Sequence, residues 1–596
     1  MNTAETLITE HLDIWTSAIK AKSSAGRGGG KKEEFYGIKK LRELILELAV
    51  RGLLVPQDPN DEPASEDLKR IAAEKARIHK EAGRKIARTT HSLLGSDIVF
   101  GCPQTWKWIR LQDVSEYIQR GKGPKYTDVG SVRVISQKCV QWSGFDLSPA
   151  RFIADESLDK YGPERFLKTN DLLWNSTGTG TAGRINRIEG IDNHRLVADS
   201  HVTVVRLLGF DSKFLCVYIS SPCVQSRISP THEQSLVSGT TNQVELNARI
   251  VTTLPIPFPP LAEQQRIVAK VDELMSLCDQ LEQQQEDSAR AHNLLVETLL
   301  GALTSASERG QFEQIWQQIE ANFDTLFTTE SSIDHLKQTI LQLAIMGKLV
   351  PQDPEDEPVT ELLERIRMEK EQQIINAEMK RHKPLPEISE SELPFEIPEG
   401  WAFVRLNDLC GWITSGSTPP GSDFSESPGI PFLKVYNIRN QKIDFYYRPQ
   451  FINANCHASK LKRSCLLPGD VVMNIVGPPL GKVAIVPRDY PEWNCNQAIV
   501  FFRPIEGRLS PYIYTFLRAG HFLQYIELIG TAGQDNISVT KSRSIVLPLP
   551  PLAEQQRIVA KVDELVNLCD RLKDRLKAAQ KIQLDLADNL VAAAIQ

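Results

Sequence analysis

Within this 596-residue sequence, Gly178-Thr179-Gly180-Thr181-Ala182-Gly183 comes nearest to a cofactor signature. Its Gly-x-Gly-x-x-Gly spacing suits a pyrophosphate only where a strand precedes it and a helix follows. The residues that follow, Arg184-Ile185-Asn186-Arg187-Ile188-Glu189-Gly190, make no convincing helix. The aligned segment later in the chain, Gly477-Pro478-Pro479-Leu480-Gly481, lacks the pattern. A glycine-rich turn close to a phosphate backbone is the better reading. The basic insert 25–32 lacks both the Ser/Thr after lysine and the preceding strand of a phosphate loop, and it reads as a flexible linker. Nucleophile elbows, His-Glu-x-x-His, Asn/Asp-Pro-Pro-aromatic and Cys/His metal patterns are missing. Ten cysteines without any Cys-x-x-Cys suit free thiols in a reducing cytoplasm, Cys216 and Cys495 serving as small buried hydrophobes. No catalysis, cofactor or metal is therefore expected of this chain.

Binding chemistry is better represented. Polar loops between short strands carry Lys, Arg, Asn, Gln, Ser and Thr, the residue types that touch phosphates and read base edges. In the first such block the candidates are Lys122, Lys125, Tyr126, Arg133, Ser136, Gln137, Lys138, Asn175, Thr177, Arg184, Thr241, Asn242 and Gln243. Ser417, Thr418, Lys434, Tyr436, Asn437, Arg439, Asn474, Lys482, Gln534 and Asn536 align with them in the second. Net charge is −6, yet residues 100–256 hold 18 Lys+Arg against 15 Asp+Glu, and 395–547 hold 15 against 12. Two mildly basic blocks thus alternate with acidic connecting material, and a partner responds to the local field.

The elements that must position these loops are mixed. Strand-like runs occur at 132–135, 202–208, 471–475 and 498–502, with helices at 213–220 and 511–518. The chain is 41% hydrophobic and 24% charged, a globular composition long enough for about three or four domains. Its longest apolar runs are too short to span a membrane, and the N-terminus does not read as a signal peptide.

A repeat dictates the architecture. Pro-Pro-Leu-Ala-Glu-Gln-Gln-Arg-Ile-Val-Ala-Lys-Val-Asp-Glu-Leu at 259–274 recurs unchanged at 550–565. Leu-Val-Pro-Gln-Asp-Pro at 54–59 returns at 349–354, and the basic blocks repeat more weakly. One copy of the helical unit is split across the two chain ends, so the sequence is a cyclic permutation with pseudo-two-fold character. Five regions follow: an N-terminal helical region 1–99, a block 100–256, a central helical region 257–394, a second block 395–547, and a C-terminal helix 548–596.

Each long helix opens after a Pro pair, which ends the preceding strand and suits a first helical turn. Ile267, Val271, Leu274, Cys278 and Leu281 step by four and three, as do Ile558, Val562, Leu565, Cys569, Leu572 and Leu576. This is a coiled-coil seam, most simply antiparallel, on helices expected to run about 57 Å at ~1.5 Å per residue. Shorter helices opening at Ser65 and Thr360 are charged nearly all round and read as solvated or docking faces.

The repeated helix motif, the cyclic repeat and the two diverged blocks resemble type I restriction-modification specificity subunits, in the branch with a long N-terminal helical region ending in Leu-Val-Pro-Gln-Asp-Pro. The resemblance covers nearly the whole chain. It implies an α+β architecture in which two mixed α/β target recognition domains are joined and separated by long antiparallel coiled-coil helices. Each domain would read one half of an asymmetric bipartite site in double-stranded DNA, with the helices setting the spacer. The implied partners are two modification (methyltransferase) subunits, which use S-adenosylmethionine to methylate adenine, and restriction/translocase subunits that need ATP and Mg. A non-catalytic coiled-coil scaffold without DNA readout, and a methyltransferase or nuclease with unrecognised motifs, are the alternatives. The first predicts no footprint with partners present; the second predicts S-adenosylmethionine binding by the chain alone.

Overall fold

A computed structural model describes residues 3–22, 32–81, 83, 93–178, 180–191, 195–240, 243–379, 381, 384–425, 429–531 and 534–595. The insert 25–32 lies almost wholly outside them. The chain forms two compact units, residues 1–289 with 578–596, and residues 290–577. Both passages between units fall inside helices, Leu261–Ser305 and Leu552–Ile595, and not in loops. No helix among the described residues is long and apolar enough to cross a membrane.

In the first unit the basic block is closed by its own ends. Strand Lys107–Arg110 pairs antiparallel with Pro255–Phe258. An antiparallel sheet follows the order Ile185–Arg187, Leu172–Asn175, Val202–Leu207, Ser115–Arg120. The two central strands are mostly apolar and almost wholly buried, Leu-Leu-Trp-Asn in the first and the β-branched Val-Thr-Val-Val-Arg-Leu in the second, because both faces are covered. A second sheet runs Leu196–Ala198, Arg133–Ile135, Arg151–Ile153, Tyr126–Thr127, its first pair parallel. Helix Ser212–Ser220 starts where the Asp211 side chain accepts from the backbone N–H of Lys213 and Phe214. The second unit repeats this plan with strands Ala402–Arg405 and Val546–Leu549 closing the block, four-stranded sheets in equivalent order, and helix Ser510–Ala519.

The expected seam is buried in each unit, and its surroundings are specific. Ile267, Val271, Leu274 and Cys278 share an apolar cluster with Leu41, Leu44 and Leu48 of helix Tyr36–Val50, with Phe214 and Tyr218, and with Ala587 and Leu590 near the chain end. Leu281 packs at the edge of this cluster. Arg42 bonds Asp279 and Glu282 at 2.8 Å, and Lys213 bonds Asp272 at 2.8 Å, so the helix is flanked on both sides. In the second unit Ile558, Val562 and Cys569 are buried and Leu565, Leu572 and Leu576 half-buried, clustered with Val296, Leu300, Leu336, Ile340 and Phe516. Lys337–Asp570 at 2.6 Å and Lys573–Asp334 at 2.7 Å repeat the flanking ion pairs.

The repeated motif has a positional role that its spacing did not disclose. Glu554 is 1% exposed and accepts from Trp401 Nε1 at 3.0 Å and Gln352 Nε2 at 3.1 Å. Arg557 forks onto Asp356, with one bond of 3.0 Å. In the first unit Gln57 donates to buried Glu263, and Arg266 forks onto Asp61. The motif therefore fastens the Pro-Gln-Asp-Pro turn, and in the second unit the first tryptophan of the block, to the start of the long helix. Before each turn, Gly52 (φ 71°) and Gly347 (φ 70°) end a helix in the left-handed region. A Cβ there would lie 2.6 Å from the Pro103 ring or 2.4 Å from the Pro398 ring.

The short charged helices are not solvated all round. Ala64, Asp67 and Ile71 of Ala64–Glu81 are buried, as are Val359, Leu362 and Ile366 of Val359–Ile375. Asp67, in the first turn of its own helix, accepts from the Leu261 N–H at 3.2 Å and so caps the start of the long helix as well.

Candidate nucleic-acid interface

Each block presents a two-residue β-hairpin after the strand that pairs in parallel. In the first it is Val140–Gln141 with Gly144–Phe145, tipped by Trp142 and Ser143. In the second, Ile438–Arg439 pairs with Lys442–Ile443, and both tip residues, Asn440 and Gln441, have positive φ, as a type I′ turn requires.

Several residues expected to read bases are instead the braces of these loops. Asn175 is fully buried at the end of its strand, and its Nδ2 donates to the carbonyls of Gln137 (3.1 Å) and Val140 (3.5 Å). Asn437 is fully buried too; it accepts from the Lys434 N–H at 3.0 Å and donates to the carbonyls of Asp444 and Tyr447. Asn474 accepts from the Lys482 N–H at 2.7 Å and donates to the Pro479 carbonyl at 2.8 Å. Each of these three amides is buried and bound to backbone groups beside the loops, and of the three only Asn175 keeps an oxygen, Oδ1, without a hydrogen-bond partner.

The remaining first-block candidates vary in availability. Arg184 donates to Gln141 Oε1 at 2.7 Å and the Gly180 carbonyl at 2.8 Å, tying hairpin to glycine-rich loop. Thr177 Oγ1 meets His201 Nδ1 at 2.5 Å, and Ser136 Oγ accepts from the Lys138 N–H. Gln137 is half-buried; Lys138 is exposed. Lys122 reaches the Lys160 carbonyl and Lys125 pairs with Glu156, both at 2.9 Å on exposed side chains. Arg151 lies 4.6 Å from the Tyr126 ring, and Arg133 5.0 Å from Phe152. Burial, then the Asp199 carboxylate, raises the Tyr126 phenol above its ordinary range. Thr241 and Asn242 lie outside the described residues, as does the side chain of Gln243, whose backbone pairs with Thr240 in a second hairpin.

In the second block, Ser417 donates its N–H to the Cys495 carbonyl, and Thr418 bonds Gln497. Lys434 Nζ sits 5.3 Å over Phe424, and Tyr436 OH reaches the Arg448 carbonyl at 3.3 Å. Arg439 lies 4.2 Å from the Tyr447 ring and 3.5 Å from Asp444. Lys482 and Asn536 are half-buried; Gln534 pairs through its backbone with Thr531, its side chain being outside the described set.

Sequence reasoning missed the most exposed aromatics. Tyr446 is 93% exposed and Trp142 54%. Tyr447 lies between Arg439 and Arg448, whose guanidinium stands 5.4 Å from the ring. The signal was present as aromatics inside turn-like strings, Trp142-Ser143-Gly144 and Asp444-Phe445-Tyr446-Tyr447-Arg448. Exposed guanidinium, ammonium and aromatic groups on braced hairpins suit phosphate and base contact.

Two other groupings carry different chemistry. The Gly-x-Gly-x-x-Gly string joins strand Leu172–Asn175 to strand Ile185–Arg187, so it does not run into a helix. His457, Cys465 and Glu492 bring possible metal-ligand atoms within 4.8 Å of one another. However, Asn494 Nδ2 donates to His457 Nδ1 at 3.1 Å, which leaves the ring proton on Nε2, 3.1 Å from Glu492. Asn494 is held in that orientation by the Leu461 carbonyl and the Cys495 N–H. The imidazole is thus a donor to Glu492 with no lone pair for a metal.

Comparison with known proteins identifies relatives of the whole chain. The profile of the type I restriction modification DNA specificity domain matches twice, at residues 103–290 and 398–580. The type I restriction enzyme EcoAI specificity subunit of Escherichia coli is 38% identical over 600 residues, covering 99% of both chains. The EcoEI specificity subunit, also from Escherichia coli, is 38% identical over 607 residues with the same coverage. Among solved structures, the HsdS subunit from Thermoanaerobacter tengcongensis aligns with a TM-score of 0.40 at 18% identity, over 83% of this chain and 98% of that one.

Proposed function

The chain belongs to the type I restriction-modification DNA specificity family and is a DNA sequence-specificity subunit; on that premise we propose that it reads an asymmetric bipartite site, one half through each block. The observation that carries this reading is the matched hairpin with unmatched tips. One scaffold presents Gln141-Trp142-Ser143-Gly144 in the first block and Arg439-Asn440-Gln441-Lys442 in the second. The two hairpins occupy equivalent places but differ in turn and side chains, the positive-φ pair Asn440-Gln441 having no counterpart at Trp142-Ser143, and unlike surfaces read unlike sequences.

The chain passes between its two compact units within long helices, which supports their role as the spacer between half-sites. The chain acts in the cytoplasm with two modification subunits, which use S-adenosylmethionine to methylate adenine, and with restriction subunits that need ATP and Mg. Adenine must leave the duplex stack to be methylated, a task for those partners. The small positive charge of each block assigns them much of the phosphate contact as well. Exchanging residues 100–256 for the block of another family member tests the reading. Methylome sequencing of cells expressing the hybrid with its modification subunit should show one half-site changed and the other retained; two altered halves overturn it.

A further inference from the structure

An exposed tryptophan on a rigid hairpin is an unusual side chain to leave in water, since the indole buries a large apolar area when covered. Trp142 is 54% exposed at a two-residue tip. The strands beneath it are held from outside. Asn175 binds the Val140 carbonyl, Asn186 Nδ2 binds the Gln141 carbonyl at 3.1 Å, and Arg184 binds the Gln141 side chain at 2.7 Å. The tip is therefore presented in a fixed orientation. Its sequence neighbours are polar: Lys138 is exposed four residues earlier, and exposed Ser143 follows directly. The equivalent tip of the second block, Asn440-Gln441, is wholly polar, and Gln441 turns inward to accept from the Val483 N–H at 2.7 Å. The aromatic tip is thus a property of one reader and not of the shared scaffold.

We propose that Trp142 is a stacking wedge of the first reader, which places its indole against a base step of the first half-site. Proteins that bind the minor groove frequently insert apolar side chains between base steps to open them locally. A flat ring with its weak donor at one edge, mounted on a braced tip among polar groups, matches that task. The proposal rests on the DNA-reading function given above and adds the residue through which the first half-site is distorted.

The test uses the chain assembled with its modification subunit, on duplexes that carry the methylome-mapped site with 2-aminopurine at successive positions of the first half. Apart from the methylated adenine, which the modification subunit flips out, the intact complex should raise 2-aminopurine fluorescence at one step. Trp142→Ala should abolish that rise and weaken specific binding by about 5- to 150-fold, the range of one lost stacking contact. The slope of affinity against salt should be unchanged, because no phosphate contact is lost. Trp142→Phe keeps a stacking face and should keep most of the signal, which excludes a folding defect as the cause. A discriminating wild-type complex whose Trp142→Ala variant matches it in affinity and fluorescence overturns the wedge alone. A wild-type complex without sequence preference overturns the underlying reading and the wedge with it.

Discussion

Glu554→Ala isolates the fastening that sets each reader on its helix. The wild-type carboxylate, 1% exposed, accepts two side-chain hydrogen bonds, from Trp401 at 3.0 Å and Gln352 at 3.1 Å. Hydrogen bonds to a charged group contribute ~1.5–3 kcal/mol each. Against this stands the cost of burying the carboxylate, which raises its pKa above the ordinary 4.5 despite both donors. The net loss should be about 2–3 kcal/mol, mostly from leaving the Trp401 N–H buried without an acceptor. For a unit of this size that is a fall in Tm of roughly 3–5 °C. Glu554→Gln keeps one acceptor and should lose about half as much. The pH dependence has a definite sign. With the folded pKa raised, the native state holds the extra proton, so this group's contribution is greatest below pH 4.5 and declines as pH rises towards the raised value. Glu554→Gln should remove that decline. Calorimetry with hydrogen exchange on the turn at 349–354 measures both. An Ala variant with unaltered Tm and unaltered protection of the turn refutes the fastening.

Three further outcomes are expected. Gly416→Ala places a methyl 2.0 Å from the Cys495 carbonyl oxygen and should destabilise the second unit by more than about 2 kcal/mol, read by denaturant unfolding. Arg405, then the Ser389 N–H, holds the Glu392 carboxyl at about 2; its contribution is present above the ordinary 4.5 and lost as pH falls towards 2, so Glu392→Gln should flatten the acid limb of unfolding. Four residues inserted after Leu281 lengthen the helix by about 6 Å and should lengthen the spacer in the methylated site by about 2 base pairs; unchanged spacing would mean that the helix is not the ruler.

The repeat, the strand and helix positions and the apolar stripe at 267–281 were all legible in the sequence, because periodicity reports burial directly. The surroundings of that stripe were not. Leu41 and Phe214 lie far from it in the chain, and the buried cluster they share with it, flanked by the ion pairs Arg42–Glu282 and Lys213–Asp272, identifies its surroundings. The asparagines show the second limit. Asn175, Asn437 and Asn474 have the composition of base readers, but the same amide that pairs with adenine also caps a strand end or a tight turn, and burial decides between the two. Trp142 and Tyr446 escaped attention because an aromatic residue is ordinarily assigned to a core, and exposure at a hairpin tip depends on where the turn falls.

Each reader begins and finishes on one short ladder, Lys107–Arg110 beside Pro255–Phe258 and Ala402–Arg405 beside Val546–Leu549. Topologically, everything between is a plug-in, and its two leads emerge side by side whatever wiring it contains. A gene that trades the intervening stretch acquires a new target without re-engineering the socket. The split helical copy has the same consequence for the rest of the chain: the chassis can stay nearly invariant while its vocabulary changes.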